Sequence, residues 1–370
     1  MTPTVPFTDF KAHVRCLRGE IDAAIARVLE SGWFILGPEG EAFEKELAEA
    51  FGAAHCVGVG NGTDALQLSL EALGIGAGDD VVTSPLSAAF SALAILRAGA
   101  RPVFADVDEE TLTLAPAMAE RALTAQTRAV MPVHLYGHPA DMEEFIELAH
   151  ARGLRIVEDA CQAHLAQYRG HTAGTVGEVG ALSFYPTKNL GALGDGGAVL
   201  TGSDEIAKRV RQLRNGGQSD RYHHDLPGIN SRLDEIQAAV LRVGLRHLLA
   251  WNERRRALAG LYAAELAGTE LRLPQEQPWA RAVWHLYVVR HPRREALRAA
   301  LERRGVGTLI HYPLPLHLQR AFAALDGKAG DFPVAERACG EILSLPLYPE
   351  MSDEDAHRVA AAVRAALAET

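Results

Sequence analysis

The sequence predicts an α/β fold with two domains: a large domain in which a mostly parallel sheet lies between helices, and a smaller C-terminal α+β domain. Its 370 residues, 48% of them hydrophobic and 23% charged, are typical of a globular protein that is too long for one small core. Strand-like and helix-like patterns alternate in the first half of the chain, as in a parallel sheet covered by helices. The pattern changes after a long helix, so we expect domains at residues 1–255 and 256–370.

The predicted elements follow in order along the chain. Apolar residues spaced three or four apart predict an opening helix at 9–31, and a second helix is expected at 61–74. The alternation that follows consists of strands at 81–83, 102–105, 129–133 and 154–158 and helices at 88–98, 115–124 and 141–151. Two more strands and two helices complete the large domain, at 180–184, 197–201, 203–214 and 231–266. The C-terminal domain is predicted from strands at 283–290 and 306–310 and helices at 293–304, 333–341 and 352–368.

The charge balance disfavours several classes of function. With 37 Lys and Arg against 47 Asp and Glu, the net charge is −10, which disfavours binding to nucleic acid or to an anionic membrane surface. The four cysteines lie far apart, without the spacing of a metal site, so we expect reduced thiols and no metal. The first residues lack the pattern of a secretory signal, and no apolar run approaches ~18 residues. We therefore expect a cytoplasmic protein with small-molecule partners.

Because ligands of open α/β sheets bind beyond the carboxyl ends of the strands, the loops there are the first candidates for a site. The glycine-rich loop 58–63 runs directly into a helix, whose free backbone N–H groups would favour a phosphate. Thr63 stands where a dinucleotide-binding fingerprint has its third glycine, and Asp64 stands where a Walker loop has lysine. These departures disfavour a nicotinamide-dependent reductase. A phosphate cradle and a simple turn with a helix cap both stay open.

Two further strand ends carry ionisable residues. Asp159 ends a strongly apolar strand, where a carboxylate either caps a helix or holds a cationic ligand atom. Lys188 lies in an irregular segment and is followed by glycines at 191, 194, 196 and 197. A lysine shielded from water has a lowered pKa and can act as a Schiff-base nucleophile, whereas a solvated surface lysine is the alternative. A phosphate cradle, a strand-end aspartate and such a lysine, in this order, are what pyridoxal 5'-phosphate requires.

Longer segments resemble the DegT/DnrJ/StrS family of aminotransferases, which aminate keto sugars that are mostly nucleotide-linked. The resemblance covers nearly the whole chain and is most specific at SFYPTKNLGALGDGGAV (183–199) and GINSRLDEIQAA (228–239). It also includes the segments at 31–48, 60–66, 132–142, 158–164, 305–319 and 343–354. The resemblance implies a fold-type-I aminotransferase that uses pyridoxal 5'-phosphate and works as a homodimer with shared active sites.

The resemblance also implies roles for individual residues. Lys188 would bind the cofactor covalently and carry the proton, and Asp159 would pair with the pyridine nitrogen. The other cofactor contacts that it implies are Gln162 near the 3-hydroxyl, Gly62, Thr63 and Ser183 at the phosphate, and Asn230 at the phosphate of the partner subunit. The residues that match a segment near the sugar or the amino donor are His311, Tyr312 and His317. Many members stack an aromatic residue on the ring, at a position occupied here by Ala88 or, in a shifted register, Phe90.

The resemblance narrows the reaction as well. Family members that remove a hydroxyl have histidine in place of Lys188, so the lysine favours transamination. Segments 5–10 and 185–197 resemble the corresponding segments of family members that aminate a 3-keto sugar. The predicted substrate is therefore a nucleotide-linked 3-keto-6-deoxyhexose, with glutamate or glutamine as the amino donor. A 4-keto sugar and an inosose are the alternative substrates, and a regulatory or sensor protein with a pyridoxal phosphate fold is the non-enzyme alternative.

Overall fold

A computed structural model describes residues 4–369, which form three sheets from twelve strands. The strands are β1 (His55–Val59), β2 (Asp80–Thr83), β3 (Arg101–Phe104), β4 (Thr127–Met131), β5 (Arg155–Asp159), β6 (Gln167–Tyr168), β7 (His171–Thr172), β8 (Val179–Ser183), β9 (Gly197–Thr201), β10 (Ala280–Arg281), β11 (Tyr287–Arg290) and β12 (Ile342–Leu345). The α-helices of the same range are α1 (Phe10–Ser31), α2 (Pro38–Phe51), α3 (Gly62–Ala72), α4 (Phe90–Arg97), α5 (Pro116–Arg121), α6 (Met142–Arg152), α7 (Asp204–Leu213), α8 (Glu235–Glu265), α9 (Arg294–Arg303), α10 (Pro333–Glu341) and α11 (Asp353–Leu367). None of the helices in this range is long and apolar enough to cross a membrane.

Seven strands form the central sheet, in the order β1–β9–β8–β5–β4–β2–β3. The neighbours from β8 to β3 pair in parallel, whereas β9 is antiparallel to both β1 and β8. The predicted α/β fold with a mostly parallel sheet is therefore confirmed. Parallel neighbours need crossover connections, which are helices after β2, β3 and β4, whereas the connection from β5 to β8 contains the short strands β6 and β7. As a result, the carboxyl ends of β2, β4, β5 and β8 lie along one edge of the sheet.

The two faces of the sheet are buried under different helices. Consecutive strand residues point to opposite faces, so Val81 belongs to the core under α3, α4 and α7, and Val82 to the core under α5 and α6. Near β1, the second face is covered by α2 and α8, which contribute the fully buried Phe43 and Leu241. Because both faces are apolar, polar side chains that bind a ligand must come from strand ends and loops.

Helix α8 connects the sheet with the C-terminal part of the chain. Its first half packs on the sheet through Leu241 and Leu248, and its second half contributes Leu258 and Tyr262 to the C-terminal core. The boundary predicted at residue 255 falls inside this continuous helix, and a division at 1–255 and 256–370 stays a prediction. Val5 packs into the C-terminal core, so the described N-terminal segment joins that core.

Most predicted elements are present within a few residues of their expected bounds. The strand predicted at 306–310 is wrong, because Val306 and Leu309 form isolated bridges, to Val5 and to Ser344, instead of a ladder. Helix α2 was not predicted, nor were strands β1, β6, β7, β10 and β12. Strand β12 begins directly after α10 ends, at Ile342, so no turn residue marks the change of structure.

Two acidic residues near β3 hold the C-terminal part against the sheet. Asp106 is buried and accepts the backbone N–H groups of Val334 (3.0 Å) and Ala335 (2.9 Å) at the start of α10. Glu109 forms ion pairs with three arginines of the C-terminal part: Arg272, Arg290 and Arg337. Charge-assisted bonds of this kind are stronger than neutral ones. They fix the relative position of the two parts, and loops from both contribute to the site.

Candidate active site

The N-terminus of α3 lies at the carboxyl edge of the sheet. Asn61 caps the helix, because its Oδ1 accepts the backbone N–H of Asp64 at 2.9 Å. The backbone N–H groups of Gly62 and Thr63 have no acceptor among residues 4–369. Two free donors and the positive end of the helix dipole are therefore directed at the site. A phosphate is the ligand that fits such donors.

The contact of α3 with the neighbouring strand ends requires glycine at position 62. A Cβ there would lie 2.7 Å from the Cβ of Ser183 and 2.9 Å from the Sγ of Cys161, closer than side chains pack. Ser183 is the last residue of β8, and this close approach to Gly62 places it at the start of α3. The structure thus brings together the three residues expected at the phosphate.

Asp159 is the last residue of β5 and is 5% exposed. Ser91 donates a hydrogen bond to its Oδ2 (2.6 Å), and the backbone N–H of Cys161 donates to its Oδ1 (3.2 Å). The hydroxyl of Ser87 lies 3.1 Å from that of Ser91, and both serines are buried. These donors hold both carboxylate oxygens in place. A carboxylate held in this way can pair with a protonated ring nitrogen.

The two serines were missed in the sequence. Their segment follows β2, whose carboxyl end lies on the same edge as that of β5, and this position was the one available signal. The aromatic residue that would stack on a cofactor ring was left open between Ala88 and Phe90. Ala88 is partly exposed, and Phe90 is 59% exposed at the start of α4. Within the described residues, the ring of Phe90 has no contact with another aromatic ring.

Lys188 lies beyond the end of β8, in the segment that leads to β9. Its backbone N–H donates to the carbonyl of Tyr185 at 2.8 Å, and the residue as a whole is half-buried. Loss of hydration lowers the pKa of its amine, although the nearby Cys161 and Asp159 act in the opposite direction. A lowered pKa increases the neutral fraction, which is the form that attacks a carbonyl carbon and accepts a proton.

Gln162 is buried next to Asp159 and is bonded at both ends of its amide. Its Oε1 accepts the backbone N–H of Tyr136 at 2.8 Å, and its Nε2 donates to the hydroxyl of Tyr312 at 3.2 Å. Because Oε1 is occupied by a donor, the second hydrogen of the NH2 group is the one available to a ligand. The structure therefore brings Gln162 and Tyr312 together, as expected for two residues of one site.

His311 and Tyr312 come from the C-terminal part of the chain. Nδ1 of His311 lies 2.9 Å from the hydroxyl of Ser344, and burial, helped by the positive charge of Lys188, lowers the pKa of His311 to about 4. Burial raises the pKa of Tyr312 to about 12. Both side chains are neutral at pH 7, so they can offer hydrogen bonds to a sugar without adding charge to the site.

His317 has different surroundings. Its ring is buried, lies 4.7 Å from the ring of Phe332, and places Nε2 at 3.1 Å from Glu336. These contacts belong to the C-terminal part, and the structure gives His317 no hydrogen bond to Lys188, Asp159 or Gln162 among the described residues. A direct role in substrate binding stays a prediction for this residue.

Asn230 lies at the surface next to the helix N-terminus. Its neighbour Ser231 is buried, donates to Oδ2 of Asp64 (2.7 Å) and accepts the backbone N–H of Gly60 (2.9 Å). Asn230 itself is exposed, and its side chain has no hydrogen bond within residues 4–369. The segment is thus fixed by Ser231, and the amide of Asn230 is free to contact another molecule.

A helix N-terminus with free donors, a buried strand-end carboxylate and a desolvated lysine meet at one edge of an α/β sheet. This set defines the class of pyridoxal 5'-phosphate enzymes, since it fits the phosphate, the ring nitrogen and the aldehyde of that cofactor. Within the described chain, no group of three or more His, Cys, Asp or Glu residues is arranged to hold a metal ion.

The chain matches the model of the DegT/DnrJ/EryC1/StrS aminotransferase family over residues 15–364 and belongs to that family. It is 52% identical over 364 residues to a dTDP-3-amino-3,4,6-trideoxy-alpha-D-glucose transaminase of Streptomyces venezuelae, covering 98% of this chain and 96% of that protein. It is 51% identical over 362 residues to the erythromycin biosynthesis sensory transduction protein EryC1 of Saccharopolyspora erythraea, with 98% and 99% covered. The crystal structure of S. venezuelae DesV in complex with a ketimine intermediate matches with a TM-score of 0.96, at 52% identity and 98% coverage of each chain. The chain is a pyridoxal 5'-phosphate-dependent aminotransferase.

Removal of the Ser91 hydroxyl tests the contacts of Asp159. In Ser91→Ala the carboxylate loses a charge-assisted hydrogen bond of about 1.5 kcal/mol that orients it. Because this bond is already present without the cofactor, only part of its energy changes cofactor binding, and the dissociation constant of pyridoxal 5'-phosphate should rise about 3–10-fold. Absorbance titration of the apoprotein with the cofactor measures this constant. Ser69→Ala is the matched control, because Ser69 is a buried helical serine whose hydroxyl donates to the carbonyl of Ala65. Equal affinities in both variants would mean that Ser91 does not support the cofactor contact.

Proposed function

We propose that the chain transfers the amino group of glutamate or glutamine to a nucleotide-linked 3-keto-6-deoxyhexose. The observation that carries this proposal is 52% identity, over 98% of the chain, to a transaminase named for a dTDP-linked 3-amino sugar. Lys188 supports the amino-transfer reaction, because its amine is the group that can bind a carbonyl carbon and move a proton.

Each part of the cofactor has its own set of residues in this proposal. Gly62, Thr63 and Ser183 bind the phosphate, because their free N–H groups and hydroxyl lie together at the start of α3. Asp159 would bind the ring nitrogen, and the remaining hydrogen of the Gln162 amide would be available to the 3-oxygen of the ring.

When bound, pyridoxal 5'-phosphate supplies an electron sink for the bond that breaks at the substrate carbon. Asp159 keeps a proton on the ring nitrogen, because a buried carboxylate favours a cationic partner. The Lys188 amine would take the proton from the α-carbon of the amino acid and, as an ammonium, give it up at the carbon of the cofactor's aldehyde group, a general acid–base role that its lowered pKa would assist. In the second half of the reaction the same amine delivers a proton to the sugar carbon.

The sugar is held by the C-terminal part of the chain in this proposal. His311 and Tyr312 are neutral side chains at the margin of the site and offer hydrogen bonds to sugar hydroxyls. His317, paired with Glu336, acts by fixing the segment that carries them.

The proposed active form is a homodimer in which Asn230 binds the phosphate of the partner subunit. Asn230 is exposed, and three exposed apolar residues lie close to its segment: Trp33 (58% exposed), Phe34 (47%) and Ile35 (39%). Ile35 bridges Asp234, and the carbonyl of Phe34 accepts the N–H of Glu235, so this apolar stretch adjoins the loop that carries Asn230. Exposed apolar residues grouped in this way are typical of an interface.

A sensor function is the second candidate, since one relative of 51% identity is named a sensory transduction protein. Both functions use the same cofactor site, and only turnover separates them. The retained set of Lys188, Asp159 and Ser183 supports the enzyme, because a sensor needs no proton carrier.

Turnover with defined keto sugars tests the substrate. With L-glutamate, the holoenzyme should form 2-oxoglutarate and a 3-amino sugar from a dTDP-linked 3-keto-6-deoxyhexose, with kcat/KM at least ~10-fold above that for the 4-keto isomer. Lys188→Ala is the control and should show no turnover. Preference for the 4-keto sugar or an inosose would replace the substrate proposed here. Cofactor binding without turnover of any of these sugars would favour the sensor.

Complementation of two inactive variants tests the shared site. In a heterodimer of Lys188→Ala and Asn230→Asp chains, one site would carry both defects and the other neither. A random mixture should therefore recover about a quarter of wild-type activity, because half of the dimers have one intact site of two. Aspartate is chosen because its charge repels the phosphate. If heterodimers form and the mixture stays inactive, Asn230 acts within its own chain.

A further inference from the structure

Tyr136 is a buried residue that sequence analysis did not assign to the site. It follows β4 and is 8% exposed, in the segment PVHLYGHPADM. Its backbone is in the left-handed region, with φ 59° and ψ 9°, which residues other than glycine rarely adopt. Such conformations persist where the surrounding contacts impose them, and they are concentrated at functional sites.

Three hydrogen bonds connect Tyr136 with Gln162 and with the His311–Tyr312 segment in a closed ring. The backbone N–H of Tyr136 donates to Gln162, Gln162 donates to the hydroxyl of Tyr312, and the Tyr136 hydroxyl donates to the carbonyl of His311. The left-handed backbone directs the N–H of Tyr136 at Gln162 while its phenol extends to the C-terminal part of the chain. Tyr136 thus connects a residue of the large part, Gln162, with a segment of the C-terminal part.

The segment that receives the phenol is anchored at its ends. At one end Leu309 and Ser344 exchange backbone hydrogen bonds, and at the other the N–H of Leu316 donates to the carbonyl of Pro85. Between them, Pro313 and Pro315 have no backbone N–H to donate. Tyr136 belongs to the large part of the chain. Its phenol donates a hydrogen bond to the backbone of this stretch, at the carbonyl of His311.

We propose that Tyr136 is a positioning residue that sets the location of His311 and Tyr312 and thereby determines how tightly the keto sugar is bound. The inference rests on the proposed function, in which these two side chains hold the sugar. Tyr136 itself needs no contact with substrate or cofactor. Its backbone N–H bonds to Gln162, on the cofactor side, and its phenol bonds to His311, on the sugar side. A change of the phenol alone therefore separates an effect on sugar binding from an effect on cofactor binding.

Tyr136→Phe removes the phenolic hydroxyl and leaves the backbone N–H to Gln162 in place. The matched control is Tyr168→Phe. It removes a hydroxyl that donates a 2.6 Å hydrogen bond to Asp141, and neither residue belongs to the site. We expect the amides of Leu309 and Leu316, which donate to the carbonyls of Ser344 and Pro85 at the two ends of the stretch, to exchange hydrogen several-fold faster in Tyr136→Phe, in apoprotein and holoenzyme. In the control their exchange should be unchanged. We also expect KM for the keto sugar to rise about 3–10-fold, with the cofactor dissociation constant and the glutamate half-reaction unchanged.

Hydrogen exchange requires no turnover, so it tests the positioning of the segment even if the proposed function fails. Unchanged exchange at Leu309 and Leu316 would overturn the inference. An equal rise of KM in both variants would also overturn it, because the cause would then be a general loss of stability. Weaker cofactor binding with unchanged KM would assign the phenol to the cofactor side and contradict the proposal. If wild-type protein converts no keto sugar, the proposed function fails separately.

Discussion

The site depends on one close contact, in which the N-terminus of α3 packs against the ends of β8 and β9 with no side chain between them. Gly62 allows this contact at Ser183, and Gly197 allows it at Asn61, whose carbonyl carbon would lie 2.4 Å from a Cβ at position 197. Both contacts are with main chain or with the first side-chain atom, so a methyl group could be admitted only by moving the helix. The contact brings the free N–H groups of α3 to the same edge as Asp159 and Lys188.

Burial then decides the charges around that edge. It lowers the pKa of His164 to about 3 and of His311 to about 4, and it holds the pKa of His285 well below its usual range. The positive charge of Lys188 adds a smaller effect of the same sign to each. At neutral pH they are uncharged. The helix dipole and Asp159 can therefore act on an anionic phosphate and a cationic ring nitrogen without competing imidazolium charges.

The parts of this arrangement that depend on the order of strands and helices along the chain could be predicted from the sequence. Asp159 and Lys188 follow apolar strands, and the alternation of strands and helices puts such ends on one edge, so their proximity could be inferred from the chain alone. Ser91 and Tyr136 also follow strands that end on this edge, β2 and β4, but their hydrogen-bond partners could not be found in this way. Their partners are 68 and 175 residues away, at Asp159 and His311, and nothing in their own neighbourhoods indicates those contacts. The prediction of a strand at 306–310 was wrong for a related reason. This segment pairs only with isolated residues that are distant in sequence, Val5 and Ser344.

The central claim is that the folded chain places Lys188, and no other lysine, at the reactive carbon of the cofactor. Borohydride reduction of the pyridoxal 5'-phosphate-loaded protein, followed by peptide mass mapping, tests this claim directly. The account predicts a phosphopyridoxyl mass on the peptide that contains Lys188 and none on peptides with the other lysines, which are Lys11, Lys45, Lys208 and Lys328. A label on one of those four, or no label on protein that holds the cofactor, would contradict it.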